Sequence, residues 1–162
     1  ARHYETGQPM PDDLVEKIRK ARHFNQGFAT TEYLAASFLD MDWHTQSTPN
    51  TDIDVLAFEK TSLDKIGLIP EIIARYRSPY FQHIFSGGYS SGYYSYVWAE
   101  VLDADAFQAF KETGDVFDTE TARRFRQNIL ARGGTEEPMV LYERFRGKKP
   151  GIDPLLERRG LK

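Results

Sequence analysis

Between its stop signals this chain carries apolar residues at helical spacing, and it nowhere sustains period-two alternation. That pattern predicts an all-α fold. Pro11, Asp12 and Asp13 open a helix over about 11–25, striped by Leu14, Ile18 and Ala21 and ending near Gly27. Thr30 or Thr31 can cap a second helix whose apolar face is Leu34, Phe38, Met41 and Trp43 and which runs to about His44. Ser47–Asn50, with Pro49, is a break. A third helix is expected from about Asp52 to Ile66, stopped by Gly67. Pro70 can open a short helical turn, and Ser78-Pro79 forces an extended or turn conformation. After a long helix from about Ser91 to Lys111, Asp118 or Thr119 starts another that Gly133-Gly134 stops. Thr135 caps the next, and Asp153-Pro154 opens the last, to Arg159.

The 162 residues suffice for one helical domain, read here as 1–162 without subdivision. No apolar run is long enough to span a bilayer, and no signal-peptide pattern opens the chain, so the cytoplasm is the expected compartment, with the periplasm as the alternative. The absence of cysteine excludes disulfides and thiolate metal sites. A net charge of −3 argues against a nucleic-acid role. The charge is uneven. Residues 1–118 carry 10 basic and 18 acidic side chains, net −8, while residues 119–162 carry 11 and 6, net +5. Such a split suits internal complementarity or a missing neighbour. With aromatic residues at 14%, it also predicts a surface that seeks partners, as a homodimer or larger species when this chain stands alone.

The most chemically suggestive stretch is Phe81–Phe110, FQHIFSGGYSSGYYSYVWAEVLDADAFQAF. Its first half reads as a loop, with Gly87, Gly88 and Gly92 as flexible or left-handed points. Its second half reads as a helix, striped by Val97, Trp98, Val101, Leu102 and Phe110. Tyr89, Tyr93, Tyr94 and Tyr96 cross the junction, and His83 stands just before it. Phenols and an imidazole beside glycines suit the grip of a polar backbone or of a developing negative charge. Tyrosines at such spacing also serve as plain packing, with the hydroxyl at the surface. The four histidines, His3, His23, His44 and His83, form no HExxH, and none lies three or four residues from another, so a zinc site wholly inside this chain is not expected. Phosphate-loop, dinucleotide and nucleophile-elbow motifs are absent. Asp40 and Asp42 would face different sides of a helix and make a poor carboxylate pair.

HIFSGGYSSGYYSYVWAEVL resembles the M3 family of zinc oligopeptidases, on its peptidyl-dipeptidase side. ARHYETGQPMPDDL, FNQGFATTEYLAASFLDMDWH, RYRSPYFQHIF and YERFRGKKPGIDPLLERRGL resemble further family segments in the same order. The resemblance implies an all-α helical bundle forming the C-terminal part of a catalytic domain, in a parent enzyme that cleaves short peptides. It implies zinc held by HExxH and a later glutamate, all upstream of the segment seen here, so that this piece alone would bind no zinc and be inactive. It implies an oxyanion-donating role for Tyr96, a substrate-backbone contact for His83, peptide contacts for Tyr89 and Tyr93, and loop hinges at Gly87, Gly88 and Gly92. Arg75 and Arg77 are candidates to receive a terminal carboxylate by proximity only; pairing with surface acids is the plainer role. A non-catalytic all-α peptide-binding or structural module is the competing reading.

Overall fold

The structure, a computed structural model, describes residues 2–47 and 52–162. Eight α-helices account for the described residues' regular structure, together with a short 3₁₀ turn and a π-helical stretch. No strand forms among them; Arg2 and Pro9 make one isolated antiparallel bridge. The fold is all-α. Contacts group the chain into two compact units, Ala1–Tyr94 and Ser95–Lys162, each with its own core.

The first unit holds α1 (Asp12–Ala21), α2 (Gln26–His44), α3 (Val55–Lys65) and the one-turn α4 (Gln82–Phe85). Its core joins Ala36 and Leu39 of α2 to Phe81, Ile84 and Tyr93, with Tyr33, Trp43, Phe58 and Tyr76 packed around them. α1 starts at the expected place, with Pro11 as its N-cap, but ends at Ala21. The break before α2 is Asn25, at φ 55°, and not Gly27, which lies inside the helix. Asparagine tolerates left-handed backbone, so it can end one helix and start the next without a glycine. α3 is capped by Asp54, which accepts from the N–H groups of Leu56 and Ala57, and Gly67 at φ +66° ends it as expected. Most of the break expected at Ser47–Asn50 lies outside the described residues. Pro70 leads only into a turn closed by Ile72 N–H on Ile69 O.

The apolar faces are where sequence reading goes furthest wrong. α2 buries Ala35, Ala36, Leu39 and Asp40, while Phe38 and Met41 remain exposed. A helix apolar on several sides does not reveal from its sequence which side faces the nearest core.

The second unit holds α5 (Ser95–Thr113), α6 (Thr119–Phe125), α7 (Pro138–Arg146) and α8 (Asp153–Arg159). α6 starts at the Asp118 cap and runs into the π-helical stretch Arg126–Leu130. α7 begins at Pro138, with Glu137 rather than Thr135 as N-cap. α5 packs on α8, and its fully buried residues are Ala104, Asp105, Ala106 and Ala109, with Leu102 and Phe110 of the expected stripe packed against the same core. Small side chains let a neighbouring helix come close; Trp98, from the expected stripe, is 46% exposed. Among the described residues no helix is long and apolar enough to cross a membrane.

Candidate functional site

His83 stands on α4, a turn of helix where sequence reading expects loop. The turn is set up upstream. Ser78–Tyr80 forms a 3₁₀ turn, and Glu59 of α3, 3% exposed, accepts from the Ser78 N–H at 2.7 Å and the Ser78 hydroxyl at 2.9 Å. Trp43 Nε1 donates to the same hydroxyl at 2.9 Å. Phe81 and Ile84 then point into the core, 1% and 0% exposed, which turns His83 half outward between them.

The chain after α4 folds back on it. The Ser86 N–H and hydroxyl both donate to Gln82 O, at 2.8 and 3.1 Å, and the Ser90 hydroxyl donates to Ile84 O at 2.7 Å. Carbonyls left over at the helix end are thereby satisfied. Tyr89 returns over His83, rings stacked with centroids 4.5 Å apart and planes at 21°. The glycines serve different ends. A Cβ on Gly87 would sit 2.9 Å from His83 O, so this glycine permits a close backbone approach. Gly88 takes φ +76°. A Cβ on Gly92 would sit 3.2 Å from Tyr89 O, and the left-handed residue beside it is Ser91, at φ 54°.

Tyr93 lies deeper than a contact residue on a loop. It is 5% exposed, stacked on Tyr33 at 5.3 Å, with Phe81 and His83 edge-on at 5.2 and 5.6 Å. Burial pushes its phenol up, and the nearby Arg75 guanidinium pulls the other way. Arg75 lies over the Tyr76 ring, 5.8 Å from its centre, and the Tyr76 hydrogen bond raises its own already high value. Arg77 pairs with Glu59. His83, Tyr89, Tyr93, Gly87, Gly88 and Gly92 are thus brought together in the first unit. Tyr96 stands in the second, 41% exposed on the first turn of α5.

Asp40 is the group that sequence reading misses. Asp42 does face away, toward Lys65 at 3.1 Å, but Asp40 is 0% exposed and occupied. Its Oδ1 accepts from Ser91 N–H at 3.0 Å and its Oδ2 from Tyr93 N–H at 2.9 Å. His44 Nδ1 lies 2.8 Å from Oδ1 and 2.9 Å from Asp40 O. The carbonyl can only accept, so this nitrogen carries a proton. The available signal was an aspartate one turn from both Ala36 and His44, on the side of the helix that holds Leu39 and Trp43.

Among the described residues no three His, Asp or Glu side chains gather to hold a metal ion. His3 is used locally, its Nδ1 accepting from the N–H groups of Glu5 and Thr6 at 3.3 Å each.

Comparison with known proteins places the whole chain. It is 46% identical to a dipeptidyl carboxypeptidase of Salmonella typhimurium over 162 residues, 99% of this chain and 24% of that protein. It is 40% identical to oligopeptidase A of Escherichia coli over 167 residues, 99% and 23% of the two chains. Saccharolysin of Saccharomyces cerevisiae is 32% identical over 161 residues, 98% and 22%. The chain therefore spans about a quarter of the length of the curated relatives it matches. Residues 1–161 match the family described as Peptidase family M3, and with the ordered glycine–tyrosine block this chain belongs to that family.

Proposed function

We propose that the protein containing this chain is a zinc metallopeptidase that hydrolyses short peptides, and that this stretch belongs to its catalytic domain as the part that binds substrate and stabilises the oxyanion. Family membership over residues 1–161 is the observation that carries the reading. Both compact units are assigned to that one domain. The relatives include a dipeptidyl carboxypeptidase and oligopeptidases, so the substrate class is short peptides, with removal of C-terminal dipeptides favoured by the higher identity to the former.

The residues divide by what they can offer. His83 and Tyr89, stacked and partly exposed, present an imidazole and a phenol able to bond a peptide backbone. Tyr93 is assigned to the wall behind them, since its ring is nearly inaccessible. Gly87 and Gly92 keep that wall thin by allowing backbone to approach backbone. Tyr96 is assigned the donor to the oxyanion that forms when water adds to the scissile carbonyl; a phenol donates there without adding a competing charge. Zinc does not fit the residues described here, which hold no cluster of ligands. Its site is assigned to other parts of the longer protein, and no step is drawn through it. Arg77 is committed to Glu59, which leaves Arg75 as the better of the two candidates for a terminal carboxylate. Exposed Phe38, Met41, Ile73 and Trp98 are read as faces covered by the rest of the domain, or by a second copy when this chain stands alone.

The test is Tyr96→Phe in the full-length protein on a short quenched peptide. An oxyanion donor acts mainly in the transition state, so kcat should fall by about two to three orders of magnitude with KM little changed. A packing role would leave kcat near normal and lower the melting temperature slightly. An unchanged kcat removes Tyr96 from the chemistry.

A further inference from the structure

We propose that Asp40 is a positioning residue: it fixes the backbone of residues 91–93 and so preforms the face that His83 and Tyr89 present. The inference rests on the peptide-binding role proposed for those two side chains. Three observations carry it. First, the carboxylate is 0% exposed and is used on both oxygens by backbone N–H groups two residues apart, Ser91 at 3.0 Å and Tyr93 at 2.9 Å. Converging N–H groups around one anionic oxygen pair make a nest that holds its backbone in one shape. The shape here is an unfavourable one, with Ser91 at φ 54°, and such a conformation persists only where surroundings impose it.

Second, the same helix takes the other half of the same residue. The Tyr33 hydroxyl, also on α2, donates to Tyr93 O, so α2 holds both the N–H and the C=O of Tyr93. Third, the opposite end of the segment is fixed in like manner. Glu59 on α3 accepts from the backbone and side chain of Ser78. A segment tied by a buried carboxylate at each end, and folded onto itself through Ser90 and Ile84 O at 2.7 Å, is preorganised. Glycines in it then serve close approach more than hinge motion.

The geometry also explains why an acid, and not an amide, stands at 40. Both oxygens must accept. Asparagine has nearly the same shape but turns one acceptor into a donor, which then faces a loop N–H. Hydrogen bonds to a charged acceptor are the strong ones, and the loss of one is worth about tenfold to a hundredfold in the equilibrium it supports.

The experiment uses the full-length protein with two readouts. In the unaltered protein, hydrogen exchange should be slower at the Ser91 and Tyr93 amides than at those of Gly87 and Gly88, by about tenfold or more. In Asp40→Asn the first two should speed up, and KM for a short peptide should rise about tenfold while kcat per folded molecule changes less. A merely structural aspartate would lower the melting temperature and leave KM per folded molecule unshifted. Tyr33→Phe keeps the ring and removes the hydroxyl that donates to Tyr93 O; a smaller rise in KM is expected, and it serves if Asp40→Asn does not fold. Equal exchange at all four amides, or an unshifted KM in both variants, overturns the proposal. Cleavage by the unaltered protein with KM unshifted in the variants sinks Asp40 and leaves the peptidase reading standing. No cleavage by the unaltered protein sinks that reading, and the exchange comparison then decides Asp40 by itself.

Discussion

Two buried aspartates, one in each unit, have different chief partners. Besides the His44 ring on its own helix, Asp40 in the first unit accepts from two backbone amides of an irregular segment. Asp105 in the second, 2% exposed, accepts from the Tyr142 hydroxyl at 2.7 Å and Arg146 Nε at 3.0 Å. Arg146 goes on to Glu112 through both terminal nitrogens, at 2.7 Å each. Asp105 therefore joins side chains of α5 and α7, two regular helices whose backbones need no help. A buried charge that grips side chains sets how helices pack. One that grips backbone sets where a loop goes, and so reaches whatever the loop carries. Burial and charge alone do not separate the two roles; the identity of the donors does.

The largest effect on stability that separates them is expected from Asp105→Ala. It leaves Arg146 with only Glu112, and Tyr142 with only Leu102 O at 3.2 Å. Breaking a buried pair on one side costs about 3 kcal/mol. The melting temperature should drop clearly, with KM and kcat per folded molecule unchanged on a short peptide. A shift in KM as large as that expected of Asp40→Asn would dissolve the distinction between the units.

Next in size is a pair of glycine substitutions. Gly87→Ala would put a methyl 2.9 Å from a backbone carbonyl in the segment that carries His83, while Gly134→Ala in the second unit would meet open space at ordinary φ. Crowding that forces backbone to move costs about 1–3 kcal/mol. KM should rise with Gly87→Ala, because the displaced carbonyl belongs to His83. Gly134→Ala should stay within about 0.5 kcal/mol of the parent, with unaltered kinetics. Chemical denaturation with peptide kinetics on both variants checks the contrast, and equal behaviour of the two would show that the fold-back at Gly87 is not held tightly.

The all-α class was legible because helix signals repeat along the whole chain, and Asp118 and Gly67 are read correctly as punctuation because capping and left-handed termination are local physics. His83, Tyr89 and Tyr93 were legible as a group through the glycine–tyrosine block. Tyr93's burial was not, since a phenol looks the same in a core as at a rim. Nor was the core face of α2, where Phe38 and Met41 outrank Ala35 and Ala36 in any hydropathy count yet lie outside. Asp40 and Glu59 were invisible for another reason. Their partners lie 51, 53 and 19 residues away in sequence, and no local rule connects them.

The smallest expected effect is the acid limb of stability in the second unit. The Arg146 hydrogen bond holds the Glu112 carboxyl below its usual range, and Arg144 does the same for Glu136. Arg123 lowers Glu120, and the Thr121 N–H lowers Asp118. A carboxyl held down in the folded state binds fewer protons than in the unfolded chain at intermediate pH, so stability rises with pH there. The contribution is complete above the ordinary carboxylate range near about 4 and is lost as pH falls through the lower folded values. Solvent screening keeps each of these partly or fully exposed pairs weak. Protection of α6 and α7 amides should therefore fall by a modest amount as pH drops below the ordinary carboxylate range near about 4. Glu112→Gln should flatten part of that fall, because the neutral amide has no proton to gain. It should also leave Asp105 as Arg146's only anionic partner, which keeps α5 and α7 joined. A Glu112→Gln profile parallel to the parent's would assign the acid limb to other groups, and the side-chain network around Asp105 would then owe its strength to Tyr142 and Arg146 alone.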